Sequence, residues 1–343
     1  YPWFADLLNW AAGIAIEWAS ENESDPDREA PPQGGDGDNT AGAGGVGGYF
    51  GGRLAEAGND VSFIARGAHL KALQDNGLKI ISPLGDLHLE NVSATDDPGE
   101  IGPVDIVLFC VKLFDVEEAA ALCKPLIGAD TAVISLLNGV DAHEQIAPIL
   151  GADHVVSGIA RISSQISAPG VFEHKVPFAE LEFSEADNQP SPRLDDFANA
   201  CAAATGIDAQ ISSDIEVAIW TKFVMLATIA GFACLTRQAN GVIKSDPDLI
   251  SAREDALHEA IAVARACGVA LPDDTFEKIS AMQAAFPDHA MPSMFFDLDS
   301  GKRMELDGLT GTIVRQGRAL SVPTPVNRVI YAALKPYRNG APA

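Results

Sequence analysis

At 343 residues the chain is long enough for two domains. Its 47% hydrophobic content suits packed cores and not a disordered chain. A net charge of -25, from 48 acidic against 23 basic residues, excludes wrapping nucleic acid or lying on an anionic membrane. No apolar run reads as long as the roughly 18–20 residues that span a bilayer. The cysteines (Cys110, Cys123, Cys201, Cys234 and Cys267) are scattered, odd in number and never spaced as CxxC. That pattern reads as free thiols in a reducing compartment, and the cytoplasm is the expected location. The histidines form no HxxxH or HExxH pattern, so no metal site is expected. No basic segment precedes the apolar N-terminal stretch, so a secretory signal is not indicated. The first residue is Tyr1 and not Met, as in a fragment.

Residues 1–40 differ from the rest and read as an atypical extension, partly disordered. Residues 3–19 are apolar and aromatic, and 20–40 are rich in Asp, Glu, Gly and Pro, which predicts a solvated loop. From Ala41 a Gly-rich turn leads into a helix over Gly47–Glu56, closed by Gly58. Val61–Ala65 reads as a buried strand, as do Asp105–Val111 and Thr131–Leu137, with helical segments around 115–124 and 141–149 between them. Val171–Phe183 reads as an extended pair of strands, Pro192–Gly206 as a helix and Ile207–Ile211 as a last strand. Short apolar β-rich runs alternating with helices predict a parallel, doubly wound sheet over 41–212.

Beyond residue 212 the strand signal stops. Residues 214–235 have a helical apolar face. A second helix over 247–267 opens on Asp246-Pro247, an N-cap followed by proline at the first helical position, and ends at Gly268. Further helices are predicted near 273–286, 303–320 and 325–335. The expected architecture is therefore an α/β domain followed by an all-α domain over 213–337.

Gly42-Ala43-Gly44-Gly45-Val46-Gly47 is a GxGxxG. Its first glycine permits a tight turn, its second lets backbone approach a pyrophosphate, and its third allows close packing of helix on strand. By itself the motif is weak, because a Gly-rich loop matches it easily. The helix and the strand Val61–Ala65 that follow are what a Rossmann-like dinucleotide fold requires. At the end of that strand an NAD enzyme usually places Asp or Glu on the ribose hydroxyls. Arg66 stands there instead, and a guanidinium suits a ribose 2′-phosphate, so NADPH is the expected cofactor. Upstream, GGDGDNTA cannot be the strand that should precede the turn. Either Gly13–Ile16 supplies it, with 17–40 bulging out, or residues 1–40 are foreign to the fold. The composition favours the second reading.

From Ala41 to about residue 335 the chain resembles ketopantoate reductases, whose fold is 6-phosphogluconate-dehydrogenase-like. The resemblance rests on motifs in order: GAGGVGGYFGGRLAEAGNDVSFIARGAHL (42–70), VK (111–112), LNG (137–139), IWTKF (219–223), SM (293–294), MELDGLTG (304–311) and VPTPVN (322–327). It implies NADPH-dependent reduction of 2-dehydropantoate in pantothenate and coenzyme A synthesis. It further implies that Gly42, Gly44, Gly45, Val46, Gly47, Arg66, Lys112 and Asn138 line the cofactor. Lys222 would be the proton-donating catalytic lysine and Glu305 its partner. Ser293, with Asn138, Lys222 and Glu305, would hold the substrate. The residues themselves agree in part. Lys112 and Asn138 each follow a buried strand at its carboxyl end, where ligands bind in open α/β sheets. A lysine inside the apolar stretch Ile219–Leu226 is costly unless paired or facing a polar cleft. Plainer readings remain for each: a strand-end charge for Arg66 and Lys112, a turn for Asn138-Gly139, a helix-surface charge for Lys222 and Glu305, and an N-cap for Ser293.

The chain departs from the family at two positions. Well-characterised members carry asparagines four and eight residues after the catalytic lysine, on the same helix face. Here those positions are Leu226 and Ala230. These two positions motivate a paralogous reductase of a more apolar 2-keto acid as an alternative, and the missing strand before the glycine turn motivates another, a catalytically silent NADPH-binding protein. A monomer and a homodimer are equally compatible with the sequence.

Overall fold

The run GIAI, Gly13–Ile16, forms strand β1. It lies between β2 (Val61–Ile64) and β6 (Val104–Phe109), parallel to both, with Gly13 opposite Val61 on one side and Ile106 on the other. The expectation that residues 1–40 stand outside the fold is therefore corrected. A strand paired on both sides needs only a short run of backbone in register, and the acidic, Gly- and Pro-rich sequence after it does not prevent that pairing. The computed structural model describes residues 13–16 and 45–341. The loop expected over 20–40, and the glycines Gly42 and Gly44, lie outside the described residues.

The other strands are β3 (Leu78–Ile81), β4 (Leu87–Leu89), β5 (Ser93–Thr95), β7 (Ile127–Ser135), β8 (Val155–Arg161), β9 (Ser164–Ala168), β10 (Val171–His174), β11 (Glu180–Ser184) and β12 (Asp208–Ile211). They form an eight-stranded sheet, ordered β12-β11-β8-β7-β6-β1-β2-β5, and a four-stranded sheet, β4-β3-β10-β9. The large sheet is parallel from β8 to β5 and reverses between β8 and β11. Val171–Phe183 does hold two strands, but they belong to different sheets. β10 alternates half-buried and buried residues, as a one-faced strand does, whereas β11 is buried from Leu181 to Ser184.

The helices of this unit are α1 (Val46–Glu56), α2 (Gly67–Asn76), α3 (Val116–Leu122), α4 (Ala142–Leu150) and α5 (Pro192–Ala203). Glycines let α1 approach the small sheet. A Cβ on Gly48 would overlap the ring of Phe172 in β10, and one on Gly52 would stand 2.9 Å from Leu78 and Ile80 of β3. Buried beneath the same helix, Arg53 lies over the Tyr49 ring and donates to the Gly85 carbonyl. His174 accepts or donates at Nδ1 with the Ser82 hydroxyl, 2.9 Å, and meets the Phe178 carbonyl through Nε2 at 3.0 Å.

The chain divides into two units, residues 1–137 with 141–215 and residues 138–140 with 216–343. The second is helical: α6 (Ile215–Thr236), α7 (Asn240–Ile243), α8 (Pro247–Ala266), α9 (Thr275–Ala285), α10 (Ser293–Asp299), α11 (Thr310–Ala319) and α12 (Pro325–Leu334). Asp246 caps α8, its carboxylate accepting from the backbone of Asp248 and Leu249. Two expectations need correction here. The helix predicted over 303–320 begins only at Thr310, because Arg303 pairs with Asn339 in a β-bridge and residues 305–309 form a turn in which the Glu305 carbonyl accepts from Gly308 and Leu309. And α6, 22 residues with an 18-residue window of mean hydropathy 1.8, does have the length and apolarity of a membrane span. The same properties suit the central helix of a packed unit. More than half of its most apolar window is buried, and Gly231 lets α6 come within van der Waals reach of Ile330 and Thr310.

The VPTPVN motif has a structural role. Pro325 opens α12, and the Glu259 carboxylate of α8 accepts from Val326 N (2.8 Å), Asn327 N (2.9 Å) and Asn327 Nδ2 (2.8 Å). The same Nδ2 also donates to Ala256 O at 2.9 Å. A carboxylate at a helix N-terminus satisfies amides that have no partner within the helix. The motif therefore clamps α12 to α8.

Candidate active site

Lys222 lies on α6, half-buried in an apolar stretch. Other polar groups of that helix turn back on their own backbone, Thr221 to Val217 O and Thr228 to Val224 O. Lys222 instead donates from Nζ to Oδ1 of Asn138 at 3.0 Å. Asn138 follows the end of β7 by three residues and is grouped with the helical unit. Its Nδ2 reaches Oε2 of Glu305 in a long hydrogen bond of 3.5 Å. Glu305 is 4% exposed, and its position in the turn before α11 is fixed by the two backbone bonds to its carbonyl.

These three residues form one relay from ammonium through amide to carboxylate. The charges at its ends fix the orientation of the amide. The ammonium only donates, so it selects the carbonyl oxygen of Asn138, and the carboxylate selects the NH₂. The arrangement keeps a cation in an apolar helix and gives a buried carboxylate a donor, each of which would otherwise be costly. What it can do chemically is present an ammonium N–H, held in a set direction, to an oxygen that gains negative charge.

Leu226 and Ala230 follow Lys222 on the same face of α6, Leu226 half-buried and Ala230 fully buried. Ser293 is the first residue of α10 and is exposed. The N-cap of α10 is Pro292, so Ser293 does not take the capping position of the plainer reading.

In the first unit, Gly45 is the N-cap of α1, and Val46 and Gly47 open the helix. No side chain caps α1 and no acid lies in its first turn, so its amide end is compatible with a pyrophosphate. Arg66 stands past the carboxyl end of β2, at the N-cap of α2. Lys112 lies in the loop after β6, half-buried, its carbonyl accepting from Asp115 N. The donor set of this unit thus fits the phosphates of a nicotinamide dinucleotide. The sequence reading missed one neighbour. Glu118 of α3 places Oε1 3.2 Å from the Arg66 guanidinium. In a chain with 48 acids, nothing in the sequence distinguishes that one.

All five cysteines are free, and burial pushes Cys123, Cys201 and Cys234 up to about 12, far from a reactive thiolate.

Comparison with known proteins gives the same family for both parts of the chain. Residues 40–188 match the family model for ketopantoate reductase PanE/ApbA, and 214–338 match that for its C-terminal part. An uncharacterized oxidoreductase of Bacillus subtilis, YkpB, is 31% identical, over 86% of this chain and 97% of its own. A 2-dehydropantoate 2-reductase of Mesorhizobium japonicum is 28% identical, over 86% of this chain and 95% of its own. The crystal structure of a PanE/ApbA family ketopantoate reductase from Ralstonia eutropha has a TM-score of 0.79 at 34% identity, covering 87% of this chain and 97% of that one. With a parallel Rossmann-like sheet, a helical C-terminal unit and these matches over both, the chain is an oxidoreductase that belongs to the ketopantoate reductase family.

Proposed function

We propose that this protein reduces 2-dehydropantoate to pantoate with NADPH. The observation that carries the reading is the Lys222–Asn138–Glu305 relay, which holds the ammonium of Lys222 in a set direction and so suits it to meet a keto oxygen. The bound nicotinamide supplies the hydride for the keto carbon. Lys222 hydrogen-bonds the keto oxygen and gives it a proton as the alkoxide develops. Asn138 holds the ammonium in direction through Oδ1, and the Glu305 charge at the far end of the relay favours the protonated lysine. Ser293, exposed at the start of α10, is the contact for the substrate carboxylate. In the first unit Gly42, Gly44, Gly45, Val46 and Gly47 take the pyrophosphate, Arg66 the 2′-phosphate, and Lys112 lies beside the cofactor. The test is NADPH oxidation with 2-dehydropantoate, followed by nicotinamide absorbance in the wild type and in Lys222→Ala. Loss of most turnover with NADPH binding retained supports the assignment, and a near-normal rate in the variant ends it.

A second reading has its own observation. Leu226 and Ala230 give the face beside Lys222 no hydrogen-bonding side chain, which favours a 2-keto acid with an apolar chain in place of the hydroxyl of 2-dehydropantoate. Leu226→Asn with Ala230→Asn raises 2-dehydropantoate turnover under the first reading. Under the second it gives no gain, and the wild type prefers branched apolar 2-keto acids.

A further inference from the structure

We infer that Glu118 sets how strongly the protein prefers NADPH over NADH, an inference that rests on Arg66 meeting the 2′-phosphate. β1 lies between β2 and β6, and all three run parallel, so their carboxyl ends share one edge of the sheet. Arg66 follows β2 and α3 follows β6. The Arg66–Glu118 ion pair, 3.2 Å long, therefore bridges the edge where an open α/β sheet binds its ligand. The two ends of the pair differ in their exposure to solvent. The Arg66 side chain is only 27% exposed, whereas Glu118 is 64% exposed. Val116, Ala119 and Ala120 bury the other face of α3 and fix the direction in which Glu118 projects. Both Glu117 and Glu118 stand in the first turn of α3, where the helix dipole favours the ionised carboxylate.

Two consequences follow for a ligand arriving at Arg66. A 2′-phosphate brings about two negative charges to a guanidinium that already holds a carboxylate. It must displace Glu118 or sit beside it against like-charge repulsion. An unphosphorylated ribose brings hydroxyl donors instead, which a carboxylate at this edge accepts. Glu118 thus opposes NADPH and assists NADH at the same position where Arg66 does the reverse. Selectivity is the difference between the two.

The experiment is a fluorescence titration of the full chain with NADPH and with NADH, on wild type, Glu118→Gln, Arg66→Ala and the control Glu117→Gln. Glu118→Gln is expected to tighten NADPH by about three- to fivefold, the scale of an exposed charge pair, and to leave NADH unchanged or weaker. Added salt should shrink that gain, because the pair is solvent-exposed. Glu117→Gln, which removes the same charge one residue away, should move neither constant. No tightening of NADPH in Glu118→Gln, or equal tightening of both cofactors, overturns the inference. Arg66→Ala separates it from the reading beneath it. If that variant loses NADPH selectively while Glu118→Gln changes nothing, Glu118 is irrelevant and Arg66 keeps its role. If Arg66→Ala leaves both constants unchanged, both readings fall.

Discussion

Replacing Lys222 by Met should lower turnover and stability together, and a second substitution should restore only stability. Met keeps the length of the side chain and removes the ammonium. Turnover should fall by about 10²–10⁴-fold, the usual contribution of a positioned general acid. Stability should fall as well, for a reason visible in the relay. Glu305 is 4% exposed, and the cation at the far end of Asn138 contributes to balancing it. Without Lys222, Asn138 loses the donor to Oδ1, 3.0 Å away, and the carboxylate loses a balancing charge. A hydrogen bond to a charged group is worth about 1.5–3 kcal/mol, so the loss should be roughly 2 kcal/mol. Lys222→Met combined with Glu305→Gln removes both charges and should return stability to within about 1 kcal/mol of the wild type, because paired buried charges can be replaced together at little cost. Turnover should stay low. The assays are urea unfolding followed by circular dichroism, and steady-state rates at saturating cofactor. If the double variant is as unstable as the sum of the two single ones, the residues do not act through one relay. If Lys222→Met keeps near-normal kcat, the lysine is not the proton donor.

Three further outcomes follow from the fold. Gly48→Ala places a Cβ inside the buried Phe172 ring, so it should cost about 1–3 kcal/mol in urea unfolding; Gly48→Ala with Phe172→Leu should recover part of that loss. Asn327→Ala breaks the clamp to Glu259 and Ala256 and should cost about 2 kcal/mol, with cofactor affinity unchanged by fluorescence titration. His174 is held below its ordinary value of 6.5 chiefly by burial and further by Arg53. The folded protein therefore resists its protonation: the contribution is full above 6.5 and is lost as pH falls from there toward the depressed folded value. The urea midpoint should drop through that range in the wild type and less so in His174→Gln. Glu182 and Glu185 are held below the carboxylate value of 4.5 despite their burial, by bonds that include Arg161 and Arg193 respectively, so their contributions persist above that value and fade only beneath it. A His174→Gln profile identical to the wild type would refute the assignment of the upper range.

What could be read from residues alone depended on whether a position had a reason to be of one type. Lys222 was legible because a lysine is anomalous in Ile219–Leu226, and Asp246-Pro247 because an N-cap followed by proline has one use. The four-stranded sheet was not legible. Its strands are three to five residues long and several are only half-buried, so their periodicity is too short to separate from loop. β1 was named as a candidate and then set aside, because its flanks were judged with it. Pairing acts on the four residues that pair, and both neighbours β2 and β6 needed a strand between them.

Two motifs show how a motif can be right about the family and uninformative about chemistry. MELDGLTG was read as helix, yet Glu305 works from a turn whose backbone bonds hold its carboxylate still. A helix would have offered that carboxylate to solvent on one face, whereas the turn buries it against Asn138. VPTPVN carries the family resemblance and is a clamp, since Pro325 opens α12 and the amides of Val326 and Asn327 with the Asn327 side chain are spent on Glu259 and Ala256. In both cases the deciding fact is where a polar group finds its partner. Asn138 shows it most sharply: an Asn-Gly after a strand is an ordinary turn in sequence, and only the lysine on one side of its amide and the carboxylate on the other make it part of a site. The same logic makes Glu118 worth testing, because a surface acid becomes informative only when the cation it meets is the one a phosphate would want.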